Sequence, residues 1–269
     1  MKLTAKIKDE LHTKRFVVPY RVYGNGGPHL VCLNGVQQSM AMWHSFVRRF
    51  APHYRIVLFN FPGQGKGKVL YGSTRASLEE ELEIMHEVVK TTDMHDITFC
   101  TASWGGVVAM MYAEKYPHMV KRLILGSLTT KANEHMLETI QAGIQLDTSD
   151  RGEIAENLIN SMGQKLPEVI KRRIIRQFTT MSKDQLRAFF EHGLFIIGEK
   201  NLKDVVNFNE IQTETILLNG NNDTIIDLDD VKHLASQLPN CRMEIVQDVG
   251  HFLHLESDDV LDFYQRILV

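Results

Sequence analysis

Short apolar runs alternate with longer amphipathic stretches along most of this chain. His29 to Leu33, Arg55 to Phe59, Ile97 to Cys100, Lys121 to Leu125, Thr215 to Asn219 and Arg242 to Val246 have the length and Val/Ile/Leu content of strands, several of them buried on both faces. Helical spacing fills the intervals. From Ser77 to Val89, Leu78, Leu82, Met85 and Val89 share one stripe while Glu79, Glu80, Glu83 and Glu87 fall outside it, which predicts a helix with a core face and a solvated acidic face. Met42 to Phe50 and Val107 to Ala113 also read as helices. This alternation predicts an α/β fold: a mostly parallel central sheet with helices on both faces.

Two regions break the rhythm. At the start, Leu3, Ala5 and Ile7 alternate with Lys2, Thr4 and Lys6, which predicts an edge strand. Phe16 to Tyr23 predicts a second, and its Pro19, having no backbone donor, suits an edge or a bulge. Between Thr129 and about Val206 strand-like alternation stops, and helical patterns are interrupted at Gly143, Gly152, Gly163 and Gly193. Leu158, Met162 and Leu166, then Ile170, Ile174, Ile175 and Phe178, recur at helical spacing there. We therefore expect residues 1–128 and 208–269 to form the core and 129–207 a helical lid over the carboxyl edge of the sheet. Most apolar lid residues would pack the lid onto the core, and some would line an acyl pocket.

The candidate chemistry starts at Thr101-Ala102-Ser103-Trp104-Gly105-Gly106, where a strand-like run gives way to a helix-like one. A serine in a sharp strand-to-helix turn is lifted above the sheet, and the helix behind it aims N–H groups and a positive dipole end at incoming negative charge. Asp223 follows the run Thr215 to Asn219 through the turn Gly220-Asn221-Asn222, and His251 follows Gly250 after the run Arg242 to Val246. Serine, acid and base thus come in the order this architecture requires. Serine needs imidazole to take its proton during attack, and the imidazole needs a carboxylate to fix its tautomer. We expect Ser103, Asp223 and His251 to be catalytic, with His251 rather than His254 as base. The turn Asn34 to Gln38, ending an earlier strand, is the expected second arm of an oxyanion hole built from the backbone N–H groups of Val36 and Trp104, with Asn34 and Gln37 facing substrate.

Composition narrows the partners. With 269 residues, 43% of them hydrophobic, the chain can bury one large core plus an insertion. A net charge of −3 argues against a nucleic-acid partner. The charged start and the lack of any apolar run near 18 residues predict no membrane span and a cytoplasmic location. Cys32, Cys100 and Cys241 lie in or beside apolar runs without metal-ligand spacing, as thiols of a reducing compartment would. Pro62 to Gly67 lacks the spacing of a phosphate or dinucleotide loop and reads as a mobile loop beside the active-site mouth. No metal and no cofactor are expected.

With these residues in place the chain resembles the α/β-hydrolase superfamily over essentially its whole length. Asn34-Gly35, Val57 to Phe59, Ala102 to Gly106, Asn219-Gly220 with Asp223, Gly250 to Leu253 with Leu255-Glu256, and Gly163 to Pro167 resemble the bacterial 3-hydroxyacyl transferase branch, which holds the rhamnolipid-precursor synthase and hydroxyacyl carrier-protein:CoA transacylases. Asn60 and the loop Val36 to Met40 depart from that branch, which has aspartate and small residues there.

Three functions follow as expectations. The first is a serine acyl-transfer enzyme of esterase or thioesterase type; the second, implied by the resemblance, is a 3-hydroxyacyl transferase using CoA- or carrier-protein-bound donors. The third is a non-catalytic ligand receptor on the same fold, which has no use for a proton-relaying histidine. Between Lys165 and Arg187 the lid carries seven basic residues against two acidic ones, so Arg172, Arg173 and Arg176 are candidates to bind a phosphorylated or acidic donor.

Overall fold

The six apolar runs become neighbouring strands, and all but Arg242 to Val246, which takes an edge, bury most of their side chains, as strands inside a covered sheet can. The structure, a computed structural model, describes residues 4–36, 38–73, 75–131, 133–145, 151–197 and 202–268. Among these the sheet has nine strands: β1 (Ile7–His12), β2 (Phe16–Tyr23), β3 (His29–Leu33), β4 (Arg55–Phe59), β5 (Lys68–Val69), β6 (Ile97–Ala102), β7 (Val120–Gly126), β8 (Glu214–Gly220) and β9 (Cys241–Val246). Across the sheet they run β1, β2, β4, β3, β6, β7, β8, β9, and β5 also pairs β2. Every pair from β4 to β9 is parallel, while β1, β4 and β5 are antiparallel to β2.

The helices are α1 (His44–Phe50), α2 (Leu78–Thr91), α3 (Trp104–Lys115), α4 (Glu134–Gln145), α5 (Arg151–Met162), α6 (Glu168–Thr179), α7 (Lys183–Ile197), α8 (Leu202–Val205), α9 (Leu228–Gln237) and α10 (Asp258–Leu268). Period-2 alternation divides the core in two. Val31, Leu33, Val57, Phe99, Leu123 and Leu217 meet α2, α3 and α9 on one face. Leu30, Cys32, Leu58, Cys100, Ile124 and Leu218 meet α1 and α10 on the other. Helix α2 starts where Ser77 and Glu80 form a reciprocal capping box, which satisfies two donors at the helix start. Helices α4 to α8 occupy the interval between β7 and β8, and none of the described helices is long and apolar enough to cross a membrane.

Several expectations need correcting. Among the described residues the first strand begins at Ile7 and is almost wholly exposed, while Leu3 lies outside them. β2 is an internal strand, not an edge, and Pro19 is tolerated because it lies between the stretch paired to β5 (Phe16, Val17) and the stretch paired to β4 (Tyr20 to Tyr23). Gly143, Gly152 and Gly193 lie inside α4, α5 and α7. A glycine inside a helix costs roughly 1 kcal/mol relative to alanine, which these helices tolerate. Gly163 does end a helix, its N–H reaching Ile159 O at 2.9 Å. The loop from Pro62 to Gly67 is closed by backbone bonds from Gly63 to Gly67, Gln64 to Phe61 and Gly67 to Gln64. Gln64 is buried within it, and none of its residues borders the apolar cavity at the carboxyl ends of the strands.

Candidate active site

β6 runs to Ala102 and α3 starts at Trp104, leaving Ser103 alone in the turn with φ 47° and ψ −115°. Such a backbone costs about 1–3 kcal/mol and persists only where its surroundings impose it. Here they do. Ser103 N donates to Gly126 O at 2.7 Å, and Gly106 N donates to Ser103 O at 2.8 Å. Gly105 is required by close approach: a Cβ there would lie 2.7 Å from Leu33 Cβ and 2.8 Å from Leu33 O. The Ser103 side chain does not cap its own helix, so its Oγ is left to face the cavity at the carboxyl ends of the strands.

The Asp223 side chain is fully buried just past the end of β8, and its Oδ1 accepts from the backbone N–H groups of Ile225 at 3.0 Å and Ile226 at 3.3 Å. Its Oδ2 lies 2.8 Å from His251 Nδ1. Because a carboxylate only accepts, Nδ1 carries the hydrogen and Nε2 is left with its lone pair. Burial alone would lower the His251 pKa, but the Asp223 charge and hydrogen bond, with help from Glu256, hold it above 6.5. The loop is tied down around the imidazole: Gly250 and Phe252 donate to Glu256, Ser127 Oγ donates to His251 O, and His251 N donates to Met162 O at the end of α5.

The competing residues have other work. Asp227 caps α9, accepting from the N–H groups of Asp229 and Asp230. His254 is buried, stacked on Trp43 with ring centroids 4.5 Å apart, and bonded to Met42 O at 3.1 Å. Burial pushes its pKa down to about 4. A histidine buried neutral stabilises the fold fully above its unfolded pKa, and that stability is lost as pH falls from about 6.5 toward 4. His254→Ala is therefore expected to cost about 1–3 kcal/mol near neutral pH and to flatten the acid side of the stability curve. Urea midpoints against pH read both, and turnover as dead as that of His251→Ala would overturn the assignment.

Ser103, Trp104, Val36 and His251 border one cavity with Gln38, Ser127 and Thr129. The rest of its wall is largely apolar and reaches into the helical insertion through Leu158, Ile159, Ile174, Phe178 and Met181. Asn34 is not in that wall: it is buried and donates to Phe59 O at 3.1 Å. Gln37 lies outside the described residues. Its neighbour Gln38, not singled out beforehand, borders the cavity and accepts from Gly35 N–H at 3.1 Å, which shapes the loop carrying Val36. Asn60, where the resembling branch has aspartate, accepts from Met40 N–H at 2.8 Å. Glu81 was also missed. It is buried and accepts from the Trp104 indole N–H at 2.9 Å, and its place three residues after Leu78 and four before Met85 puts it on the buried stripe. Among the described residues no group of three or more His, Cys, Asp or Glu is placed to hold a metal ion.

Comparison with known proteins bears on this geometry. A family model described as the alpha/beta hydrolase fold matches residues 28–258. The (R)-3-hydroxydecanoyl-ACP:CoA transacylase of Pseudomonas putida is 23% identical over 243 residues, covering 89% of this chain and 81% of that protein. The pimeloyl-[acyl-carrier protein] methyl ester esterase of Nitrosospira multiformis is 26% identical over 259 residues, covering 87% and 91%. The enol-lactonase of Burkholderia xenovorans superposes with a TM-score of 0.78 at 16% identity, covering 97% of this chain and 98% of that one.

Proposed function

The chain belongs to the alpha/beta hydrolase fold family and is a hydrolytic or acyl-transfer enzyme of it, and from that premise we propose that Ser103, His251 and Asp223 cleave an acyl ester or thioester through a covalent acyl-serine. The observation that carries this reading is His251, paired to Asp223, bordering the same cavity as a strained serine at a helix N-terminus. A receptor would gain nothing from that strain.

In the proposed reaction Ser103 Oγ bonds to the acyl carbon as its proton passes to His251 Nε2. The carbonyl π electrons move to oxygen, where the backbone N–H groups of Val36 and Trp104 hold the oxyanion. Collapse breaks the bond to the alkoxide or thiolate, which leaves with the proton from His251. Water, or a second thiol or alcohol, then gives up a proton to His251 and attacks the acyl-serine, releasing product and restoring the serine. The apolar wall of the insertion, residues 129–207, takes the acyl chain and acts as the lid. Free thiols at Cys32, Cys100 and Cys241 suit a cytoplasmic setting.

Transfer rather than hydrolysis is the second reading. It is favoured by the transacylase relatives, over 81% of whose length the P. putida alignment extends. Intact-protein mass spectrometry after mixing with acyl esters and acyl-CoAs of graded chain length should show a mass increase equal to one acyl group, absent from Ser103→Ala. No adduct with any donor, under conditions where product forms, would sink the covalent mechanism. Adding a thiol acceptor then separates the readings: an acyl-thioester product marks a transferase, free acid alone a hydrolase.

A further inference from the structure

The proposed catalytic groups all belong to the core, yet the main chain of His251 is held from two sides. From the core, Ser127 Oγ donates to His251 O at 2.9 Å. From the insertion, Met162 O accepts from His251 N at 3.2 Å. Met162 is the last residue of α5, and a helix end leaves its final carbonyls without partners inside the helix. The Ile159 carbonyl takes the N–H of Gly163, and the Met162 carbonyl takes that of the proposed base.

Two glycines allow this approach. A Cβ at Gly250 would lie 3.2 Å from Met162 O, and one at Gly163 would lie 2.4 Å from Leu166 Cδ1 and 3.2 Å from Phe252 Cδ2. Lys165 and Asp248 pair across the same junction at 3.3 Å, but both are solvated and the pair adds little. Beneath it, Ile159, Leu166 and Phe252 form one apolar cluster with Met162, Ile170 and Ile174. Ile159, Met162, Ile174 and Phe252 also border the cavity that holds Ser103, so the wall of the acyl site and the support of His251 are one packed unit. Arg172, Arg173 and Arg176 of α6, the candidate donor-binding residues, are exposed and border no part of that cavity.

We propose that the carboxyl end of α5, through Met162 and Gly163, positions His251, and that an acyl chain lying against Ile159, Met162 and Ile174 tightens this hold. The proposal rests on the acyl-transfer reading above and deepens it, because the acyl chain then does more than bind. At 3.2 Å the bond from His251 N to Met162 O is at the long end of the N–H···O range, so it has room to tighten. Burying a methylene is worth about 0.8 kcal/mol, and the part of that free energy used to order the support of the base appears in kcat rather than in KM. An acyl group too short to reach Ile159 and Met162 leaves the insertion's half of the support unloaded.

Amide hydrogen exchange in full-length Ser103→Ala, read by NMR with N-methyloctanamide or N-methylbutanamide as unreactive ligand, tests the hold without turnover. The octanamide should slow exchange of the His251 N–H by about tenfold and the butanamide much less. The Phe252 N–H, which donates to Glu256 in the core, should change little with either. Because no chemistry is involved, failure of the catalytic reading leaves this measurement standing. Kinetics add the consequence: wild-type kcat should rise by about tenfold from acetyl to octanoyl esters, and Gly163→Ala, whose methyl meets Leu166 and Phe252, should erase the rise while KM for the octanoyl ester stays within about twofold. Adding Leu166→Val, which removes the Cδ1 in the way, should restore much of it. Should Gly163→Ala fail to fold, the exchange measurement decides alone. Equal slowing at His251 and Phe252, slowing at neither, or a wild-type kcat indifferent to chain length would overturn the proposal.

Discussion

Ser103→Ala is expected to lower turnover of activated acyl esters by about a millionfold while changing stability by no more than about 0.5 kcal/mol. The first expectation follows from the proposed chemistry, since without Oγ no acyl-serine forms and only binding and oxyanion stabilisation remain. The second follows from the structure. The Ser103 side chain caps nothing, and the strained backbone is imposed by Gly126 O, by Gly105 and by the start of α3, none of which an alanine methyl disturbs. Steady-state kinetics and urea unfolding of the same preparation measure both. A variant that retained a few percent of wild-type turnover would remove Ser103 from the nucleophile's role, and one that failed to fold would show that the hydroxyl supports the turn.

Much of this fold could be read from the chain because parallel strands buried on both faces write themselves as short continuous apolar runs. β3, β4, β6, β7, β8 and β9 were all anticipated to within a residue or two. The errors fall where sequence carries no record of tertiary neighbours. Pro19 signals a missing donor but cannot say that β2 changes partners at that residue. A two-residue strand such as β5 has no periodicity to detect. Glycines in α4 and α7 look like breaks, yet both helices run through them. Around the site, the order of Ser103, Asp223 and His251 was visible because each follows a recognisable strand. Gln38 and Glu81 were not, since a glutamine in a loop and one glutamate in an acidic helix look like ordinary solvated residues. The position of Glu81 on the stripe of Leu78, Leu82 and Met85 was the available clue, and an acidic residue on a buried stripe calls for a partner, here the Trp104 indole.

The carboxylate's contribution is separable from the serine's, because its removal should change not only rate but the pH at which the rate appears. Asp223→Asn is expected to reduce kcat by about ten-thousandfold, since an amide can donate to Nδ1 and so stabilise the tautomer whose hydrogen sits on Nε2, the nitrogen whose lone pair the proposed reaction needs. In the proposed reaction His251 works as base only when neutral, so the acid limb of kcat/KM in the wild type should report the His251 pKa, above 6.5. The Asp223 charge and hydrogen bond account for most of that elevation, against the opposing effect of burial. With the charge gone burial prevails, and the limb should move to lower pH even as its plateau collapses. The linkage to stability has the matching sign. A histidine whose pKa is raised by folding stabilises the protein below its unfolded pKa, and that contribution fades as pH rises through the folded value. The wild type should thus lose stability relative to Asp223→Asn between about pH 6.5 and somewhat above it. Asp227→Asn, altering only a helix cap, should do neither. If Asp227→Asn proved the crippling change and Asp223→Asn kept both its rate and its pH limb, the acid would have been misassigned despite the 2.8 Å contact.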